Sequence, residues 1–167
     1  MAELLPQERL QPSLLDRLTD YEPGSAVESR ERRVLSTQQL RESVLRDVGW
    51  LLNTVQLSAT VPLDDYPHVA ASTLNYGVPD LAGTHMSGRS VPELEKQITA
   101  SLNLFEPRIL RDSMKVTMTL RTGETDRRAL TFTVQGELWA QPVPQSMFLK
   151  TQLDLDTGAV TIADTGR

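Results

Sequence analysis

Apolar positions along this chain change period once, and the change falls at Phe105-Glu106-Pro107-Arg108. Upstream, Leu40, Val44, Val48, Leu51, Leu52 and Val55 recur at three- and four-residue steps, which predicts an amphipathic helix. Ser36 and Gln39 are spaced for a capping box at its start. Arg41, Glu42, Arg46 and Asp47 lie mostly off the apolar stripe. Trp50 sits beside it and reads as core packing ahead of a partner anchor, an indole suiting either. A further helix opens at Ser90-Val91-Pro92-Glu93, a cap residue with an early proline and an acid three positions on. Leu94, Ile98, Leu102 and Phe105 carry its apolar face.

Beyond the corner the period is two. Met114, Val116, Met118 and Leu120 alternate with polar residues, as do Leu130, Phe132, Val134 and Leu138, with Gly136 as a weak point or bulge. Met147, Leu149, Leu153 and Leu155 follow, then Val160 and Ile162 after a turn at Asp156-Thr157-Gly158. Gly123-Glu124-Thr125-Asp126 is the polar connection between the first two strands. Four successive strands with short links predict an antiparallel meander. Its apolar face needs cover, and the two longer helices supply it. The expected fold is α+β: N-terminal helices packed on one face of a four-stranded antiparallel sheet.

The remaining sequence is more broken. Residues 1–35 read as a solvated arm, interrupted by Pro6, Pro12 and Pro23, with one short helix at Ser13-Leu14-Leu15-Asp16-Arg17-Leu18. The mixed-charge run from Glu28 to Arg33 reads as solvated rather than phosphate-binding. Residues 36–163 form the single expected domain, and 164–167 a tail. Between 56 and 90, Pro62, Pro67, Gly77, Pro79, Gly83 and Gly88 leave room for one short helix over Val69–Leu74, leaving through Asn75-Tyr76-Gly77.

Composition removes several function classes. The net charge of −5 speaks against a general nucleic-acid binder, and the lack of cysteine against a disulfide framework, thiolate metal site or cysteine nucleophile. The opening residues lack a secretory signal pattern, and no apolar run is long enough to cross a membrane. His68 and His85 stand 17 apart in loop-like sequence, short of the convergent ligands a metal needs. No phosphate-binding loop and no Gly-x-Ser-x-Gly occurs, and no cofactor is expected.

The corner itself carries the candidate chemistry. Pro107 lacks an N–H and pushes Glu106 out of the helical region, so Glu106 and Arg108 sit on a stiffened turn. In one reading the corner is an internal cap, Arg108 holding helix-end carbonyls and Glu106 accepting nearby N–H groups. In another it is a docking point, the guanidinium fork offering charge-assisted hydrogen bonds to a partner. The enzymatic alternative is a lysozyme-like glycosidase with Glu106 as acid, which requires a second carboxylate placed opposite. Arg108 opposes that role, because a paired cation favours the ionised form of the carboxyl.

An ordered set of segments also resembles a known family. Ser13–Leu18, Ser43-Val44-Leu45-Arg46-Asp47-Val48-Gly49-Trp50-Leu51-Leu52-Asn53-Thr54, Leu74-Asn75-Tyr76-Gly77-Val78-Pro79-Asp80, Phe105-Glu106-Pro107-Arg108 and Gly136-Glu137-Leu138-Trp139 resemble TssE, the type VI secretion baseplate wedge proteins, and contractile-phage wedge proteins. The resemblance implies a non-enzymatic structural part of a cytoplasmic baseplate docked at an inner-membrane complex. The implied partners are TssF and TssG, with TssK nearby, and contractile sheath subunits, without nucleic acid or direct membrane insertion. It also implies that Glu106, Pro107 and Arg108 contact the wedge and that a sheet edge templates the first sheath ring.

Overall fold

A computed structural model describes residues 13–20, 23–24, 36–80, 91–122, 128–140, 144–154 and 159–164. The fold is α+β, with helices preceding a sheet. Among the described residues, four helices, α1 (Leu14–Leu18), α2 (Thr37–Leu52), α3 (Pro67–Ala70) and α4 (Val91–Phe105), come first. Four strands follow: β1 (Lys115–Thr122), β2 (Arg128–Leu138), β3 (Gln145–Asp154) and β4 (Val160–Asp164). They form one antiparallel sheet in sequential order.

Helix α2 begins at the expected capping box: Gln39 N donates to Ser36 Oγ, and Ser36 N donates to the Gln39 side chain. Its buried residues Leu40, Val44, Val48, Leu51 and Leu52 join Leu94, Ile98 and Leu102 of α4 over one face of the sheet. The sheet contributes Val116, Met118, Phe132, Val134, Leu138, Met147, Leu149 and Val160, alternate positions of the four strands. Full burial of each such aliphatic or aromatic side chain contributes about 1.5–3 kcal/mol. Trp50 departs from its reading: it is 49% exposed, outside the core, beneath the guanidinium of Arg46.

Two local expectations take a different form. The stretch 67–75 divides into α3 and a 3-10 turn at Thr73–Asn75, because Ser72 Oγ donates to Val69 O and accepts from Leu74 N. Asn75 is a buried lock there, taking Ser58 N and donating to Ala70 O. Gly136 is no bulge, since the ladder runs through it opposite Met147. A Cβ at Gly136 would lie 2.9 Å from Cγ2 of Ile109, so glycine makes room for that core residue. The cap at Ser90, the loop 83–88, the charge run 28–33 and the turns at 123–126 and 156–158 lie outside the described residues.

Gly77 has φ of 134°, a conformation rare for residues bearing a Cβ. It lets Val78 pair with Val55 in a parallel bridge, with Val78 N on Thr54 O at 2.8 Å and Gln56 N on Val78 O at 3.0 Å. A Cβ at Gly77 would stand 2.4 Å from Thr54 O. Gly77→Ala is expected to lower unfolding free energy by about 2–3 kcal/mol, read from urea denaturation, through backbone strain and overlap together.

Candidate functional site

Helix α4 stops where the proline dictates. Glu106 N closes the last turn on Leu102 O at 2.8 Å, and the chain then swings past Pro107. Trp139 N donates to Arg108 O at 2.7 Å and Leu110 N to Glu137 O at 2.8 Å, with Ile109 bridged to Leu138. The corner is thereby fastened to α4 on one side and to the end of β2 on the other. Pro107 is exposed at its tip, whereas Glu106 is only 3% exposed.

A buried carboxylate requires a partner, and Arg108 supplies it. Its Nε donates to Glu106 Oε1 at 2.6 Å and its Nη2 to Glu106 Oε2 at 2.5 Å, a bidentate pair. The same Nη2 donates to Asp47 Oδ2 at 2.6 Å, and Nη1 to Ser43 Oγ at 3.3 Å. The second oxygen of Asp47 accepts from Arg46 Nε at 2.9 Å. Arg46 in turn holds both oxygens of Asp16, at 2.6 and 3.3 Å. Glu106, Arg108, Asp47, Arg46 and Asp16 therefore form a row of alternating charge from the corner, across α2, to α1.

Protonation follows this arrangement. Burial opposes charge on Arg108, but the hydrogen bonds and charges of Glu106 and Asp47 outweigh it and raise its pKa. The hydrogen bond from Arg46 holds Asp16 below the ordinary aspartate value, although burial acts the other way. Tyr76 is pushed up by burial, then by Asp47 and Glu106. Its ring packs edge-on against Phe105 at 5.2 Å, and its hydroxyl donates to Asp47 O at 3.4 Å, roofing the ion row.

The model of the baseplate wedge protein gp25 family matches residues 38–143, from α2 through the corner and β2. The chain belongs to that family. TssE is also a member. No curated protein and no solved structure matches the chain. Baseplate wedge proteins have a structural role and associate with other baseplate components.

In this gp25-family chain, Glu106, Pro107 and Arg108 come together as their spacing implies. The cap takes another form than expected: Glu106 does accept Arg108 N at 3.3 Å, but Arg108 serves carboxylates in place of helix-end carbonyls. Sequence reasoning missed Ser43, Asp47, Arg46 and Asp16. Asp47 lies 61 residues from Arg108, and a charged residue on a helix flank gives no sign of such a partner. Among the described residues, no group of three or more His, Asp or Glu is arranged to hold a metal ion, and no helix is long and apolar enough to cross a membrane.

The sheet edges are guarded by helix side chains. Met118 N of β1 donates to Glu95 Oε1 at 2.7 Å. Asn53 pairs with both backbone groups of Val160 on β4, at 2.9 and 3.0 Å. By the alternation of an antiparallel ladder, Leu120 on β1 and Ile162 on β4 turn their N–H groups the same outward way.

Asp16 yields a pH prediction. Its pKa is lowered in the folded chain, so its contribution is complete above the ordinary aspartate pKa and is lost as pH falls through the lower folded value. Acid titration followed by NMR is expected to show the α1 amide signals shifting in that window, below the ordinary aspartate range. Asp16→Asn should remove the step.

Proposed function

We propose that this chain is a non-enzymatic component of a type VI secretion baseplate, docked to its wedge partners TssF and TssG through Glu106, Pro107 and Arg108. The observation that carries the reading is the corner's construction within a gp25-family fold. Two flanking anchors and a bidentate ion pair hold Pro107 outward in one fixed orientation. Such preorganisation lowers the ordering cost of association. The Arg108 side chain is partly exposed, and among the described residues Nη1 meets Ser43 Oγ at a long 3.3 Å, which leaves donor capacity for a partner. In this reading the baseplate is cytoplasmic, lies at the inner-membrane complex with TssK nearby, and starts the contractile sheath from a sheet edge.

Geometry gives the glycosidase alternative no support. Both oxygens of Glu106 are engaged by Arg108, and Asp47 shares the same guanidinium. The depression beside the corner, about 200 Å³, is lined by Gln56, Asn75, Gln97, Leu104 and Phe105 among others, without a carboxylate. That lining offers no second acid across a sugar.

The choice of variant matters for the docking test. Arg108→Ala alone would strand buried Glu106 and cost about 3–5 kcal/mol, confusing unfolding with lost docking. The double variant Glu106→Gln with Arg108→Gln removes both charges together. It is expected to melt close to the wild type while losing co-purification with TssF and TssG; full co-purification would sink the docking reading.

Templating is tested at the edges. An arriving strand gains affinity from main-chain bonds, which proline cannot donate. Ile162→Pro on β4 and Leu120→Pro on β1 each remove one outward N–H without breaking a ladder bond. With a thermal melt as control, at least one of them should suppress sheath growth from isolated baseplates. Undiminished growth from both would end the templating idea.

A further inference from the structure

Helix α2 carries a glycine that its own packing does not ask for. Gly49 lies in the helix interior, where glycine is unfavourable beside alanine. Its φ is not positive. Among the described residues, a Cβ at Gly49 would meet Ile162 Cδ1 at 3.6 Å, an ordinary van der Waals contact. Neither the backbone nor the core therefore requires the missing side chain. What its absence leaves is clearance beside Ile162, on an outermost strand of the sheet.

The backbone of β4 shows what that clearance faces. Val160, Ile162 and Asp164 stand in register with Leu153, Thr151 and Leu149. Asn53 accepts from Val160 N at 2.9 Å and donates to Val160 O at 3.0 Å, so both groups point away from β3. Alternation along the ladder turns the N–H and C=O of Ile162 the same way. Among the described residues, none hydrogen-bonds to the backbone of Ile162 on that side. Asn53 itself stands in for one strand residue, because its amide offers the donor and the acceptor that an arriving strand would offer.

The opposite edge is closed differently. On β1 the cap falls in mid-strand, at Met118, and is the carboxylate of Glu95. A strand added there would have to push that carboxylate aside and leave its charge poorly solvated against main-chain carbonyls. At β4 the cap is neutral, sits on the first residue of the strand, and is exchanged like for like.

We infer that β4 is the edge that accepts a strand of the sheath subunit, with Gly49 making room for its inward side chain and Asn53 yielding to its main chain at Val160. The inference rests on the templating reading above and specifies both the edge and the arriving segment. That segment is extended and pairs with the outward groups of Ile162. Its residue opposite Ile162 points to the same face and is apolar, since it lies against Ile162 and a helix surface bare of side chain.

The test uses baseplates assembled with the full chain, to which sheath subunits are added. Gly49→Ala is expected to melt at or above the wild-type temperature and to keep sheath growth. Gly49→Leu fills the clearance and should lose sheath growth while retaining co-purification with TssF and TssG. Because leucine could also disturb α2, a second measurement leaves the helix untouched. The chain has no cysteine, so a photo-crosslinker can be placed singly at Thr161→Cys on β4 or Thr119→Cys on β1, both exposed positions. Cross-linking to the sheath subunit from Thr161→Cys and none from Thr119→Cys is the expected result. The reverse pattern, equal cross-linking from both, or wild-type growth from folded Gly49→Leu overturns the inference and leaves templating standing. No cross-link from either position, with Ile162→Pro and Leu120→Pro both still growing sheath, ends the templating reading as well.

Discussion

One buried ion pair organises the functional end of this molecule. Glu106 is taken out of water at the turn between the helical layer and the sheet, and only the bidentate reach of Arg108 makes that burial tolerable. A buried pair of this kind is a poor source of net stability, because desolvation offsets most of the attraction. What it does supply is orientation. With Pro107 between its two members, the pair sets the direction in which the chain leaves α4, and the bonds from Trp139 and Leu110 set where it meets the sheet.

The same guanidinium connects the corner to the rest of the fold. Asp47 brings α2 into the pair, and Arg46 and Asp16 extend the row to α1. Its outer links are partly exposed and individually weak, as surface pairs are. A row of alternating charge nevertheless orders its members cooperatively, since each side chain is already restrained by its neighbour. In a baseplate wedge protein this arrangement presents a defined surface.

The sheet shows a related economy. Its helix-facing side is filled by α2 and α4, and Gly136 admits Ile109 where the corner crosses. Among the described residues, its edges are touched by Glu95 of α4 and by Asn53, which follows α2. Such caps discourage unspecific pairing of open strands.

Periodicity was enough to establish the two longer helices, the four alternating strands and the corner at Phe105-Glu106-Pro107-Arg108, because burial of one face dictates a repeat of 3.6 or 2 and proline dictates a stop. The chain order of four strands with short links likewise implied a meander covered by two helices. Sequence also placed Glu106 beside Arg108, two residues apart. It did not show that Asp47, 61 residues from Arg108, would complete the site, that Trp50 would stay outside the core, or that the leucines of α1 would face away from it. Those outcomes depend on how α1, α2 and α4 are set against one another. Local propensity is short-ranged, whereas a charge finds its partner, and an apolar side chain its cover, only once distant segments have been packed together.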